Sequence, residues 1–269
     1  MQVIGICRFS YLGLGGFQVE HDTLEARAAF LYDPDRMETR FRTFETLTLP
    51  PLRAQTDPDF TLLVVTGDSL PAPYMERLRA LLADLPQAVI QTHPPGKHRQ
   101  VMQEAINSLR RFDKEPCLQF RMDDDDGVAC AYVERLRDAA HDLHKLARRH
   151  RHIAIDFNQG YIVGSGPGGL SATPTRRPCT TAALALMFKP SVRLTVMNFA
   201  HQKLPQMMPT VSFTGEDMLL RGHNDHNDSR QKPGVTPIAL APLDATQEAL
   251  FRKVYNVDAD HVRRVYGGA

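Results

Sequence analysis

Apolar and polar positions along the first 150 residues follow two distinct periods. Short apolar runs of strand type, "QVIGIC" (2–7), "FTLLVVT" (60–66), "QAVIQT" (87–92), "CLQF" (117–120) and "HIAIDF" (152–157), are separated by longer stretches with helical spacing. In "PAPYMERLRALLADL" (71–85), Met75, Leu78, Leu81 and Leu82 share one helical face behind an opening proline. "KHRQVMQEAINSLRRF" (97–112) and "VACAYVERLRDAAHDLHKLARR" (128–149) repeat that spacing. The alternation predicts an α/β fold with a mostly parallel central sheet flanked by helices. Beyond Phe157, the glycines and prolines of "GYIVGSGPGGLSATPTRRP" (160–178) predict a hairpin and then a loop, so the C-terminal half reads as less regular.

Composition narrows the function classes. The chain has 269 residues, 42% of them apolar, enough for one large core or two modest ones. Lys plus Arg (32) nearly cancels Asp plus Glu (31), so no global basic field favours nucleic acid as a partner. Cys7, Cys117, Cys130 and Cys179 show no C-x-x-C spacing, which leaves free thiols and a reducing, cytoplasmic setting as the expectation. The N-terminal apolar run is short, and nowhere do about 18 apolar residues follow one another, so neither a signal peptide nor a membrane span is expected.

The segment "RMDDDDGVA" (121–129) changes the picture. Four adjacent carboxylates repel one another unless a cation offsets them. In parallel α/β sheets ligands bind at the carboxyl ends of strands, where this segment lies. A carboxylate cluster there suits a hard cation, Mn2+ or Mg2+, that also takes oxygens of a bound diphosphate. An acidic turn capping the next helix is the plainer alternative. An EF-hand is excluded, because Met122 and Val133 stand where ligands would be needed. Gly164, Gly166 and Gly169 match G-x-G-x-x-G, but Pro167, Pro174 and Pro178 oppose the helix that a dinucleotide site requires. In a D-x-D turn leaving a strand, alternation would let Asp123 and Asp125 converge while Asp124 points away and is dispensable.

The order of "TFETLTLPPLRAQTDPDFTLLVVTGDSLP", "PPGKHRQVMQEAINSL" and "EPCLQFRMDDDDGVA" resembles the rhamnosyltransferase family and, more distantly, the inverting A-type glycosyltransferases, from about Arg8 to Ser229. The resemblance implies a single glycosyltransferase-like domain over 1–269, with a nucleotide-binding half (1–150) and an acceptor-binding half (151–269). It implies Asp125 as principal metal ligand, Asp123 on the ribose or a metal-bound water, and Asp126 in support. It also implies that Arg8, Asp68, Lys97, Arg99, Arg121 and Asp124 surround the nucleotide sugar. In "FTGEDMLLRGHNDHNDS", Glu216 and Asp217 become candidates for the catalytic base, and His223 or His226 for completing the metal shell.

The activity so implied is metal-dependent transfer of a sugar, rhamnose by the family's name, from a nucleotide-sugar donor to a glycan or lipid-linked glycan acceptor. The cation would act as Lewis acid on the departing diphosphate, and a carboxylate would take the proton of the acceptor hydroxyl. A metal-dependent nucleotidyl- or phosphotransferase is the rival enzyme class, although a Walker loop is absent from the sequence. A non-catalytic glycan- or nucleotide-binding module is the third reading; it would tolerate loss of the metal carboxylates, which this chain retains.

Overall fold

A computed structural model of the chain describes residues 1–15, 21–224 and 238–268. Among them the strands are β1 (Gln2–Arg8), β2 (Thr61–Gly67), β3 (Ala88–His93), β4 (Cys117–Asp123), β5 (Gly127–Val128), β6 (His152–Phe157), β7 (Gln159–Gly166), β8 (Gly169–Arg176), β9 (Leu184–Phe188), β10 (Thr210–Phe213), β11 (Leu219–Gly222) and β12 (Ala241–Pro242). The helices are α1 (Leu24–Leu31), α2 (Pro34–Thr43), α3 (Leu49–Arg53), α4 (Ala72–Leu82), α5 (His98–Leu109), α6 (Tyr132–Asp142), α7 (His144–Arg149), α8 (Leu204–Met207), α9 (Ala245–Tyr255) and α10 (Ala259–Gly267). A π-helical segment, Phe44–Thr48, joins α2 to α3.

The five apolar runs form β1, β2, β3, β4 and β6. They lie in a seven-stranded sheet of order β10-β6-β9-β4-β1-β2-β3. Only β9 is reversed, pairing antiparallel with both β4 and β6. The runs are nearly continuous because both faces of this sheet are covered, as in other parallel sheets. Val3, Cys7, Leu62, Val64 and Phe120 pack on one face with α2 and α6. Ile4, Ile6, Leu63, Val65 and Cys117 pack on the other, under Met102, Ala105 and Ile106 of α5.

This period of two also sorts the polar ends of the strands. Arg8 shares a face with Ile4 and Ile6, and Arg121 and Asp123 share one with Cys117. All three therefore emerge on the α5 side of the sheet. The α/β architecture is as the alternation predicts, and β9 threads from the second half of the chain between strands of the first.

A second sheet, of order β12-β8-β7-β11-β5, is built from shorter strands. Its β7–β8 hairpin turns at the glycines of 166–169, and no helix begins there. Both C-terminal helices have side-chain caps: Asp244 and Gln247 form a capping box on α9, and Asp258 caps α10. Strand β11 runs antiparallel to β5, with Leu220 opposite Gly127, which lays its last residue on the aspartate turn. A Cβ at Gly222 would stand 2.1 Å from the Asp125 carbonyl oxygen, so only glycine fits.

Gly222→Ala should therefore force the turn and β11 apart, at a cost of about 1–3 kcal/mol for overpacking against backbone. Gly166→Ala, whose added Cβ would meet nothing within 4 Å, is the control. Melting temperatures of the two variants provide the comparison, with a drop expected for Gly222→Ala alone.

Candidate functional site

Strands β1 and β4 are parallel neighbours whose register sets Arg8 beside Asp123. The Arg8 guanidinium donates to Asp123 Oδ1 at 2.7 Å. Its other nitrogen lies 3.2 Å from His98 Nε2, at the first residue of α5. Burial, then Arg8, Arg121, Arg27 and Arg99, push the His98 pKa down to about 3. The neutral ring accepts from Arg8 at Nε2, which leaves the proton on Nδ1.

Arg121, one strand period before Asp123, has its pKa lowered to about 10 by burial and then by Arg8. Arg221, from the end of β11, donates to Asp126 at 3.3 Å and to Thr181 at 2.8 Å. His201 donates from Nδ1 to the Cys179 carbonyl at 2.6 Å; burial, then Arg121 and Arg221, hold its pKa down against that bond and Asp123. Four arginines from β1, α1, β4 and β11 thus surround two neutral histidines and a single open carboxylate, Asp123. Burial opposes ionisation of Asp123, but Arg8, Arg221 and Arg121 outweigh it and hold its carboxyl below the usual range. Such an excess of guanidinium groups at strand ends is built for an anion with several oxygens.

The other aspartates have separate environments, because β4 ends at Asp123 and the chain turns there. The Asp126 N–H closes the turn on the Asp123 carbonyl at 3.1 Å. Asp124 is buried and paired with Arg40 of α2, whose side chain keeps 22% of its surface open. Burial raises the Asp124 pKa to about 6, with Arg40 pulling against it. Asp126 has no exposed surface; its carboxylate accepts from the Gly222 N–H at 3.2 Å, from Arg221 and from the Asp123 N–H. Burial drives its pKa upward, Arg221 opposes this, and Asp125 and Asp123 add to it. Asp125 accepts from the Asn224 amide at 2.8 Å. Beside Asn224, His223 forms part of the wall of a cavity of about 440 Å³ with Thr39, Thr43, Ser165 and Tyr266.

The chain matches the model of the putative rhamnosyl transferase family over residues 2–236. It belongs to that family. No curated protein matches it. Among solved structures, S. aureus TarS 1–349 in complex with UDP-GlcNAc shares 10% identity over 86% of this chain and 61% of that one, with a TM-score of 0.48. The complex of the same S. aureus protein with UDP shares 11% over 83% and 61%, with a TM-score of 0.44. A UDP-glucose pyrophosphorylase complexed with UDP-glucose shares 8% over 72% and 78%, at 0.32. The family member described here thus spans about three fifths of the TarS 1–349 chain.

Arg8, Asp68 and Asp123 stand at or just past the ends of β1, β2 and β4, and Lys97 and Arg99 flank the first residue of α5; Asp68, Lys97 and Arg99 are exposed. The Leu14–Lys97 bridge folds the loop after β1 against this edge. Two expectations need correction. Asp124 is not open to a nucleotide: it points away, as alternation requires, but into a buried ion pair rather than to solvent. Asp126 is closed to a metal, since its oxygens serve Arg221 and backbone N–H groups inside the fold. Asp123 accepts from Arg8 and Asp125 from Asn224, so the two carboxylates have different hydrogen-bond partners. Glu216 and Asp217 precede β11, and with about 3.3 Å per strand residue they lie on the order of 15 Å from its Gly222 end. There Glu216 pairs with Arg135 at 2.7 Å and Asp217 accepts from Gln159 at 2.9 Å. His226 lies outside the described residues.

Among the described residues no three His, Cys, Asp or Glu side chains form a ready metal cage. A magnesium-type cation needs none, because one or two carboxylates plus substrate phosphates suffice. Asp125 has the right donor chemistry, and His223 adds a nitrogen that manganese accepts. Sequence reading passed over Arg40, Arg221, His98 and His201 as site residues, since their partners are distant in the chain.

Removing Arg40 should strand a buried carboxylate. Arg40→Met is expected to lose about 3 kcal/mol, the low end for a buried pair because Arg40 is partly open, and Arg40→Met/Asp124→Asn to regain most of it; urea unfolding of both variants measures this. His98 supplies a pH dependence. Below about 6.5 the unfolded chain protonates this ring while the folded protein does not until about 3, so stability falls on acidification through that window. Between about pH 7 and pH 5 the parent should lose roughly 2 kcal/mol more than His98→Gln, read from melting curves across the range.

Proposed function

We propose that the chain is a glycosyltransferase that draws its sugar from a nucleotide-sugar donor bound at the carboxyl ends of β1 and β4. The observation that carries this reading is the convergence of Arg8, Arg121 and Arg221 around Asp123 at that edge. Membership of the putative rhamnosyl transferase family supports it. An A-type arrangement, with residues 1–150 holding the nucleotide and 151–269 the acceptor, fits the parallel β4-β1-β2-β3 edge. Rhamnose as the transferred sugar rests on the family's name.

In this reading the guanidinium groups meet the diphosphate, whose charge grows as the glycosidic bond breaks. Donors already fixed in place stabilise such developing charge without reorganising. His98 and His201, held neutral, leave the positive charge on the arginines rather than diluting it by titration near neutral pH. Asp123 faces the ribose side, and Asp68, Lys97 and Arg99 border the nucleotide. A divalent cation, when bound, supplies Lewis-acid stabilisation of the leaving group; Asp125 and His223 are the residues proposed to hold it. The cavity beside Asn224 offers hydroxyls, an amide and apolar walls to a glycan acceptor. Glu216 and Asp217 remain the proposed base candidates, and a base role would require the acceptor to reach the start of β11.

Thermal-shift measurements with nucleoside diphosphates and nucleotide sugars, each with and without Mn2+, test the reading, because a ligand of the native state raises its apparent stability. At least one nucleotide should stabilise the parent and Arg121→Met should abolish the shift. Asp125→Asn should retain nucleotide binding without metal and lose the increment that Mn2+ adds, with turnover lowered on the order of a hundredfold. Absence of stabilisation by every nucleotide would remove the proposal.

A further inference from the structure

Opposite the candidate site, the amino ends of β4 and β6 and the carboxyl end of β9 meet at the other edge of the large sheet. That edge carries a concentrated positive charge. Lys145, Arg148, Arg149 and Arg151 fall within seven residues, and no acidic residue occurs from 143 to 155. The edge is continuous in space. Lys189 donates from Nζ to the Arg148 carbonyl at 2.7 Å and from its backbone to Arg151 at 3.0 Å. Arg110, buried, donates to the Lys189 carbonyl at 2.8 Å, and its guanidinium lies 4.9 Å from the Phe112 ring centre. Arg193 covers the same ring at 3.7 Å.

Two features separate this edge from ordinary charged surface. Elsewhere many arginines are matched: Arg53, Arg77, Arg135, Arg137, Arg252 and Arg263 each pair with a carboxylate. Among the described residues, Lys145, Arg148, Arg149, Arg151, Lys189 and Arg193 form no ion pair with an acidic side chain. Arg111 and Lys114 add to this charge, and Asp113, Glu115 and Asp142 at the same edge offset only part of it, so the edge keeps a net positive excess. Phe112 is also exposed, an aromatic ring held between cations at the centre of the edge.

We propose that this edge docks on an anionic lipid bilayer. Clustered Lys and Arg are drawn to the negative surface of such a membrane, and an exposed aromatic flanked by cations suits its interfacial layer. A nucleic acid would call for a groove lined by stacking rings or a longer helix; α7, with six residues, is only about 9 Å long. Docking so places the β1–β4 site one strand length, about 20 Å, from the membrane and facing away from it. On the glycosyltransferase reading, the acceptor met there is the extended sugar portion of a surface glycan.

Co-sedimentation of the full chain with vesicles of phosphatidylcholine alone, or mixed with phosphatidylglycerol, tests the proposal without reference to transferase activity. Binding should require the anionic lipid and vanish at high salt. Arg148→Ala/Arg149→Ala/Arg151→Ala should weaken partitioning by roughly a hundredfold, with the melting temperature unchanged. Phe112→Ser should weaken it further in either background. Absence of binding, equal binding to both vesicle types, or a triple variant that binds as the parent does would overturn it. So would a single-stranded oligonucleotide that binds tighter than anionic vesicles and is lost in the same variant, since the surface would then belong to nucleic acid.

Discussion

The buried carboxylate of Asp126 is the contact on which the rest of the site depends. It takes the Gly222 N–H and the Arg221 guanidinium from the small sheet and the Asp123 N–H from its own turn, while its carbonyl accepts from Thr48 at 2.8 Å. One residue thereby joins the large sheet, the small sheet and the segment leading into α3. A buried charge is tolerable only when partners surround it, and loss of one partner leaves the remainder uncompensated. The geometry of the arginine cluster follows, because Arg221 reaches the Arg8–Asp123 pair only while this clasp holds β11 in place.

Electrostatics on the α5 side are governed by the same crowding. Cations that would repel one another in an empty crevice are kept there by strand register, burial and the single open carboxylate. The adjacent histidines give up their protons instead. Asp156, fully buried on β6, secures the facing wall by accepting from the Cys179 N–H at 3.0 Å and from Ser212 at 2.7 Å. Through Cys179 and Thr181 that wall holds His201 and Arg221. The arginine cluster is thus held in place by the fold.

What was legible in the sequence followed from periodicity. The apolar runs located the strands of the large sheet, and their ends located Arg8, Asp68 and Asp123. A period of two also predicts that Asp124 points away from Asp123, as it does. What stayed hidden depended on partners far along the chain: the role of Arg40 is defined by Asp124, 84 positions later, and that of Arg221 by Asp126, 95 positions earlier. The four aspartates looked like one cluster because adjacency was visible while the turn that disperses them was not. Glu216 and Asp217 attracted notice as an acidic pair, but the direction of β11, which separates them from the aspartate turn, is set by pairing with β5 and β7.

The π-helical segment gives the site a sensitivity to chain length. Thr43 and Thr48, five residues apart, both hydrogen-bond the aspartate turn, at the carbonyls of Asp124 and Asp126. In a regular α-helix each residue advances about 100°, so side chains five apart diverge by about 140° and could not serve one short loop. The wider π turn brings them back into line. Regular α-helical geometry at the same chain length would swing Thr48 off the turn. One residue more would set the two threonines six apart, about 240° round an α-helix, so insertion in this stretch should be tolerated less well than exchange.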